Sequence, residues 1–334
     1  MREVAFIKQN KEKWLEVEQI INGKIKKNPD DLSSLYINVV NDLSFAQTYY
    51  PKSKTTVYLN YLSNRIFQRI YKTKRIEENR ISYFFKTEVP LILYQYRSYV
   101  YWGFVFFALF TLIGVFSAIY DKNFANLILG ESYVHLTKEN IKEGNPIKIY
   151  DLGSTWGSTI GITFNNLMVG AKMYFYGLFA GVGSLYILLQ NCIMLGSFQY
   201  FFHDFGVLWQ SARGIWLHGT FEIFAMVIEC AAGMILGTSI LFPGTYTRLE
   251  SLKRGFSCSF KIFLSTTPFT IVAGIIEGYI TRHGLKMPLA INLFIIFGCL
   301  AIVVFYYIIY PIILNKKLES LRKNIFQNEV KNTL

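Results

Sequence analysis

The stretch HGTFEIFAMVIE, residues 218–229, places one histidine and two glutamates inside an otherwise apolar run. On a helix of 3.6 residues per turn, His218, Glu222 and Glu229 lie within an arc of about 40° around the helix axis and so form one stripe. A charged carboxylate near the middle of a bilayer costs about 3 kcal/mol, so such side chains face a protein interior or a water-filled cavity. The stretch therefore predicts a membrane helix that packs among others and carries a polar inner face.

Long apolar runs recur along the chain. The 334 residues are 52% apolar and 17% aromatic, and several runs reach the roughly 20 residues that a membrane-spanning helix needs. These features exclude a soluble globular protein and predict an all-α, polytopic bundle of helices in the lipid bilayer. The net charge of +12 comes mainly from segments that flank the apolar runs, so we expect no nucleic-acid partner.

The distribution of basic residues predicts the orientation of the chain. Residues 1–98 carry 17 basic and 10 acidic side chains. Basic residues also outnumber acidic ones in the 243–262 loop, by four to one, and in the 315–334 tail, by five to two. The 121–154 segment carries four basic and five acidic residues. The positive-inside rule therefore places both termini in the cytoplasm and residues 121–154 outside.

Two cytoplasmic termini require an even number of spans. The apolar stretch from Thr155 to His203 must then hold two spans, which we divide near Lys172. Six spans are predicted within a bundle of residues 98–314, at about 99–120, 155–173, 175–202, 216–241, 263–281 and 289–314. The 155–173 span is rich in hydroxyl and amide side chains, so a re-entrant helix is an open alternative there.

Residues 1–97 are predicted to form a cytoplasmic module of amphipathic helices. Leu59, Leu62 and Ile66 recur at helical spacing. A similar stripe follows Pro29, a residue that suits the first helical position. A third helix from about residue 3 to residue 22 should pack on these two. We expect the module to bind membrane or cytoplasmic protein partners, and residues 315–334 to form a basic cytoplasmic tail.

Other spans carry polar residues as well. Glu277 interrupts the fifth span, and Asn165, Asn166 and Asn191 lie in the second and third. Their convergence with His218 and Glu222 would satisfy hydrogen bonds that lipid cannot. Two interpretations stay open: a structural cluster that fixes helix register, or a site that handles protons or a substrate. Glu229, nearer one end of its span, is a secondary candidate.

Pairs of glycines spaced by four residues occur in four spans, where they allow helix backbones to approach closely. The predicted packing glycines are Gly157, Gly161, Gly177, Gly181, Gly233, Gly237, Gly274 and Gly278.

Motifs for catalysis are not found in the sequence. His218 and Glu222 lack the HExxH order of zinc proteases, and no nucleophile elbow or P-loop occurs. The four cysteines have no metal-type spacing, so they are expected to be reduced packing residues. We therefore expect no catalytic residue, no metal site and no cofactor. Metal-dependent catalysis within the membrane is kept as a minor alternative.

Three stretches together resemble the stage II sporulation protein M family. They are FNNLMVGAKMYFYGLFAGVGSLYILLQNCIMLG (164–196), HGTFEIFAMVIECAAGMILG (218–237) and AGIIEGYIT (273–281). The resemblance covers about residues 95–315. It adds Thr281 to the polar cluster as a matching position. The chain departs from the family pattern at Cys192, where relatives have glycine, and at Glu229, where they have a small or apolar residue.

The resemblance implies a bacterial inner-membrane protein and specifies no biochemical activity. The family's namesake is similar to a membrane component of a cell-wall remodelling complex. Our first hypothesis is a noncatalytic subunit or scaffold of an envelope complex, with partners bound through residues 1–97. The alternative is a permease or flippase that uses the intramembrane asparagine, histidine and glutamate side chains. A homo-oligomer is compatible with either hypothesis.

Overall fold

The computed structural model describes residues 2–22, 29–70, 79–148 and 155–333. Every regular element within these described residues is a helix, and none is a strand. This confirms the all-α prediction. The chain divides into two compact units, Met1–Asn79 and Arg80–Leu334. Each unit has its own apolar core, so each is described separately.

The first unit consists of three helices. They are α1 (Glu3–Ile21), α2 (Pro29–Tyr49) and α3 (Lys54–Ile70). As predicted, their apolar stripes pack together: Trp14 and Val17 of α1, Leu43 of α2, and Leu59 and Leu62 of α3 are buried in one core. The sequence places residues 80–97 in this module too. The structure places them in the second unit instead, because Val89 and Leu93 are buried in that unit's core.

A carboxylate at the start of α1 is tied to the start of α3. The hydroxyl of Thr55 donates to Glu3 Oε1 at 2.8 Å, and the hydroxyl of Ser53 donates to the same oxygen. Both hydrogen bonds favour the ionised carboxylate, so they lower the pKa of Glu3 below its ordinary value. The contact joins the start of α1 to the start of α3.

Replacement of Glu3 by Gln should therefore loosen the contact between α1 and α3 in a pH-dependent way. The wild-type carboxylate stabilises the unit above the unfolded-state pKa, and this contribution is lost as pH falls through the lowered folded-state pKa. Hydrogen exchange of the full chain should show faster exchange in α1 and α3 of Glu3→Gln at pH 7. Equal exchange in both proteins at pH 7 would contradict the assignment.

The second unit is a bundle of long helices. Three short helical segments lead into it: α4 (Arg80–Tyr83), a π-helical turn (Phe84–Glu88) and α5 (Val89–Gln95). The first half of the bundle consists of α6 (Arg97–Tyr120), α7 (Phe124–Leu129), α8 (Glu131–Lys142), α9 (Thr155–Phe175) and α10 (Val182–Asp204). The second half consists of α11 (Leu208–Leu241), α12 (Arg248–Ile275), α13 (Leu289–Val304) and α14 (Tyr310–Thr333). A π-helical turn, Ile276–Ile280, and a 3-10 turn, Thr281–His283, extend α12.

Five helices of the described chain are long and apolar enough to cross a membrane. They are Arg97–Tyr120, Val182–Asp204, Leu208–Leu241, Arg248–His283 and Leu289–Leu321. Helix α9 is less apolar and is not among them. It is unbroken over 21 residues, a rise of about 32 Å, which favours a full span over a re-entrant helix. The sixth span and the sidedness of the termini stay predictions.

The turn between α9 and α10 lies later than the sequence predicts. The predicted spans meet at residues 173 and 175, but α9 continues to Phe175 and α10 begins only at Val182. Ala180 and Gly181 take φ values of 57° and 79°, so the chain reverses there rather than at Lys172. Left-handed backbone is readily adopted by glycine, which explains Gly181 at this position.

Helix α11 is the centre of the bundle. It packs against α12 along most of its length and also contacts α6, α9, α10 and α13. Every residue from Val227 to Gly237 is buried. Since α11 carries the stretch 218–229, its polar stripe lies inside protein, as the energy of charge burial requires.

Three of the four predicted glycine pairs lie at close contacts between backbone or side-chain atoms of neighbouring elements. A Cβ on Gly177 would lie 2.3 Å from the Gly233 carbonyl oxygen, and one on Gly237 would lie 2.0 Å from the Gly181 nitrogen. Gly274 and Gly278 of the α12 helix and its extension lie against the hydroxyl-bearing side chains of α9, Thr163 and Thr159.

The prediction is wrong for Gly157 and Gly161. Both are exposed, and no atom lies within 4 Å of a Cβ built on Gly161. The reason is the rotation of α9: its Thr159 and Thr163, rather than its glycines, face α12. Residues two positions apart lie about 200° apart around a helix, so the two rows occupy nearly opposite faces. A helix without a strong apolar stripe gives little indication of which face points inward.

The matched substitutions Gly237→Ala and Gly161→Ala test this packing. Alanine at 237 meets backbone and should destabilise the bundle by about 1–3 kcal/mol. Alanine at 161 meets open space and should be neutral or stabilising, since alanine favours a helix over glycine. Thermal unfolding of the purified protein in detergent measures both. Equal losses of stability would contradict the described interface.

Candidate functional site

Three ionisable side chains meet where α11 lies beside the π-helical extension of α12. His218 and Glu222 are one turn apart on α11, and Glu277 lies in the π-helical turn Ile276–Ile280. One ligand atom from each side chain lies within 4.8 Å of the other two. The separation of His218 Nε2 and Glu277 Oε1 is 3.9 Å, longer than a hydrogen bond. The cluster therefore has room for a small species between its members.

The orientation of His218 is fixed by Thr281. The imidazole is 4% exposed, and its Nδ1 lies 2.9 Å from Thr281 Oγ1. The Thr281 hydroxyl is also within 3.4 Å of the Ile276 carbonyl oxygen, to which it can donate. This geometry favours the tautomer in which Nδ1–H donates to Thr281, and it directs Nε2 toward Glu277.

The cluster lies on the wall of a cavity of about 360 Å³. The lining residues from α10 are Asn191, Met194, Leu195 and Phe198, and Ile128, Leu129 and Tyr133 of α7 and α8 close the cavity from the segment between spans. Most of the remaining wall is apolar. The cavity is open rather than enclosed, and Glu277 on its wall keeps 12% of its side chain exposed.

Tyr133 brings a hydroxyl to this cavity from the α8 helix. Burial, and to a smaller extent the Glu277 carboxyl, raises the pKa of Tyr133 to about 12. The phenol therefore stays protonated at neutral pH and is able to donate a hydrogen bond. Tyr133 is not among the residues predicted from sequence, because nothing in the polar 121–154 segment indicates which side chain faces the bundle. Residues 149–154 of that segment lie outside the described residues.

The structure brings together only part of the predicted cluster. His218, Glu222, Glu277 and Thr281 meet, and Asn191 lines the same cavity while its amide donates to the Ile187 carbonyl at 2.8 Å.

The asparagine pair of α9 lies elsewhere. Asn165 is exposed, and Asn166 is half-buried with its amide nitrogen unpartnered among the described residues. Neither lines the cavity. The structure therefore excludes Asn165 and Asn166 from the predicted cluster. The cause is again the rotation of α9 about its axis.

Glu229 occupies a separate, closed position. Its carboxyl accepts a hydrogen bond from the Thr266 hydroxyl at 2.8 Å, and the side chain is 5% exposed. Gly170 of α9 makes room for it: a Cβ there would lie 2.5 Å from Glu229 Oε2. Thr266 is not among the residues predicted from sequence. A signal was present, since Thr266 precedes Glu277 by the same eleven residues that separate His218 from Glu229.

A known protein family matches the part of the chain that carries the site. A family model described as Stage II sporulation protein M matches residues 103–282, more than half of the chain. The chain belongs to the stage II sporulation protein M family. The match includes His218, Glu222, Glu277 and Thr281 of this family member and supports its location in a membrane. It names no activity.

A second family model matches the first unit. It is described as a domain of unknown function, DUF8413, and it covers residues 4–72, which include α1, α2 and α3. A search of curated proteins and a search of solved structures each gave no match. The family assignment therefore rests on the match to the membrane bundle.

Thr281→Val should destabilise this stage II sporulation protein M family member by about 1–3 kcal/mol, because a buried imidazole loses its hydroxyl partner. Thr270→Val is the matched control. Thr270 is equally buried, but its hydroxyl only donates back to the Thr266 carbonyl of the same helix, at 3.3 Å. Chemical unfolding in detergent compares the two variants. A loss for Thr270→Val as large as that for Thr281→Val would contradict the role of Thr281.

Proposed function

We propose that this protein is a permease-type membrane protein that takes a small polar solute into the cavity between α10 and α11. One observation carries the proposal: His218, Glu222 and Glu277 converge on the wall of an unsealed cavity. Ionisable side chains within membrane-spanning helices cost free energy, and those that face a cavity typically mark a substrate or ion pathway. No catalytic role is proposed.

The contrast with Glu229 supports this function over a purely structural cluster. A structural carboxyl is expected to be closed off and hydrogen-bonded within the protein. Glu229 fits that description, with Thr266 as its partner and Gly170 against it. Glu222 and Glu277 instead line open space and are only partly buried. Their arrangement is that of groups that exchange a ligand.

A second cavity lies at the other end of α11. It has a volume of about 610 Å³ and is lined by residues that include Tyr99, Ile235, Thr238 and Arg254. The step from Met226, the last α11 residue on the first cavity, to Ile235 is about 14 Å of helix rise. Passage of a solute would require the helices packed around this section of α11 to separate. Alternating opening of two such cavities is how many transporters work.

The predicted orientation of the chain assigns the two cavities to opposite sides of the membrane. With both termini in the cytoplasm of a bacterial inner membrane, the cavity beside α7 and α8 faces outward. The cavity beside Arg254 then faces the cytoplasm. In this arrangement the outward cavity would collect the solute and the Glu229 section would separate the two sides.

A scaffold role is the second candidate, and the separate first unit favours it. Residues 1–79 form a compact body with its own core and are matched by their own family model. A body of this size is larger than a membrane anchor needs. It would bind cytoplasmic or membrane protein partners while the bundle carries the solute site, so the two roles are compatible.

Glu222→Gln and Glu277→Gln should each reduce transport at least tenfold, because each replaces a carboxyl on the cavity wall with an amide that can neither ionise nor exchange a proton. The test is reconstitution in proteoliposomes and measurement of the uptake of radiolabelled solutes from a panel of inorganic cations, amino acids and sugars. Glu139→Gln, an exposed carboxyl on α8, is the control and should keep wild-type uptake. Absence of uptake for every solute with folded, reconstituted protein would refute the permease, as would full activity in both cavity variants.

A further inference from the structure

We propose that His218, Glu222 and Glu277 form a binding site for a divalent transition-metal cation of the Zn²⁺, Mn²⁺ or Fe²⁺ type. The inference rests on the proposed function, since it uses the same cavity and names the class of solute. It also revises the expectation from sequence that the chain has no metal site.

The ligand atoms have the right chemistry for such a cation. One imidazole nitrogen and two carboxylate oxygens are ligands of zinc and of other first-row transition metals. The imidazole argues against Ca²⁺ and Mg²⁺, which prefer all-oxygen sites. Three protein ligands leave at least one coordination position, and here that position faces the cavity. Such an open site permits a water or a second ligand to bind.

The distances are close to those of a coordinated ion. Metal–ligand bonds of 2.0–2.2 Å place the ligand atoms of a tetrahedral site about 3.3 Å apart. His218 Nε2 and Glu277 Oε1 are 3.9 Å apart, and the whole set lies within 4.8 Å. Side-chain rotations that shorten these separations by about 0.6–1.5 Å would complete the site, and the cavity leaves space for them.

The outer contacts of the histidine are those of a metal ligand. Histidines that bind metals commonly donate their second ring nitrogen to an oxygen, which fixes the ring and its tautomer. Thr281 Oγ1, 2.9 Å from His218 Nδ1, supplies that oxygen. Nε2 is thereby held toward the Glu277 carboxyl.

The charge of the cavity also favours a cation. Two carboxyls line it, and its lining residues include no lysine or arginine within the described chain. A divalent cation would compensate both carboxylates at once, in surroundings where an uncompensated charge is costly. The same electrostatics would admit an organic cation, so the experiment must separate the two.

The test uses purified full-length protein in detergent, freed of metal and without a polyhistidine tag. Titration with Co²⁺, followed by visible absorption, and with Zn²⁺, followed by calorimetry, should show one equivalent bound per chain. His218→Ala and Glu277→Gln should each weaken binding at least tenfold. Thr281→Val should weaken it by about tenfold while it keeps all three ligands, as loss of an outer partner does.

Glu229→Gln is the matched control, because it changes a buried carboxyl on the same helix outside the cavity. It should bind metal with wild-type affinity. Thermal unfolding provides a check on folding: metal should stabilise the wild type and Glu229→Gln but not His218→Ala. Failure of folded wild-type protein to bind one equivalent would overturn the inference. Equal binding by Glu277→Gln and Glu229→Gln would also overturn it, since the metal would then be held elsewhere.

The outcomes separate this inference from the permease proposal. Metal binding in detergent does not require passage, so a protein that binds metal but transports nothing would keep the site and lose the permease. A protein that transports an organic cation but binds neither Co²⁺ nor Zn²⁺ would keep the permease and lose the metal site.

Discussion

The structure depends on the pairing of polar side chains between the antiparallel helices α11 and α12. His218 meets Glu277, and Glu229 meets Thr266. A step of eleven residues along α11 is therefore matched by a step of eleven residues along α12 and its extension. A shift of either helix would leave carboxyls buried without partners, at several kcal/mol for each charge. The closely packed glycines, such as Gly233 against Gly177, hold the neighbouring helices at distances compatible with this register.

The same stripe of α11 has two kinds of environment. At Glu229 it is closed by Thr266 and by Gly170 of α9. At His218 and Glu222 it borders a cavity that α7 and α8 partly cover. The difference arises from the neighbours rather than from the residue type, since both positions carry glutamate. One polar stripe therefore fixes the register of the bundle in its middle and presents a ligand site toward one end.

The sequence was sufficient for the helical class, for the long helices of the bundle and for the convergence of His218, Glu222 and Glu277, but not for α7 and α8. Those predictions rest on the high cost of charge in an apolar environment, which leaves few arrangements. Asn165, Asn166 and Gly161 were misplaced because uncharged residues on α9 are tolerated on either face, so spacing alone does not determine the rotation of the helix. Tyr133 and Thr266 were missed for a related reason. Their contacts depend on which segments become neighbours in three dimensions.

The most direct test of this account is chemical cross-linking of the cavity wall. The four native cysteines would first be replaced, and a protease site would be placed in the loop between α11 and α12. Cysteines introduced at Glu222 and Glu277 should be joined by a short bifunctional thiol reagent, so that the two halves stay linked after cleavage. Cysteines at Glu229 and Glu277 should not be joined. Equal cross-linking of both pairs, or none at Glu222 and Glu277, would contradict the convergence of these side chains on one cavity.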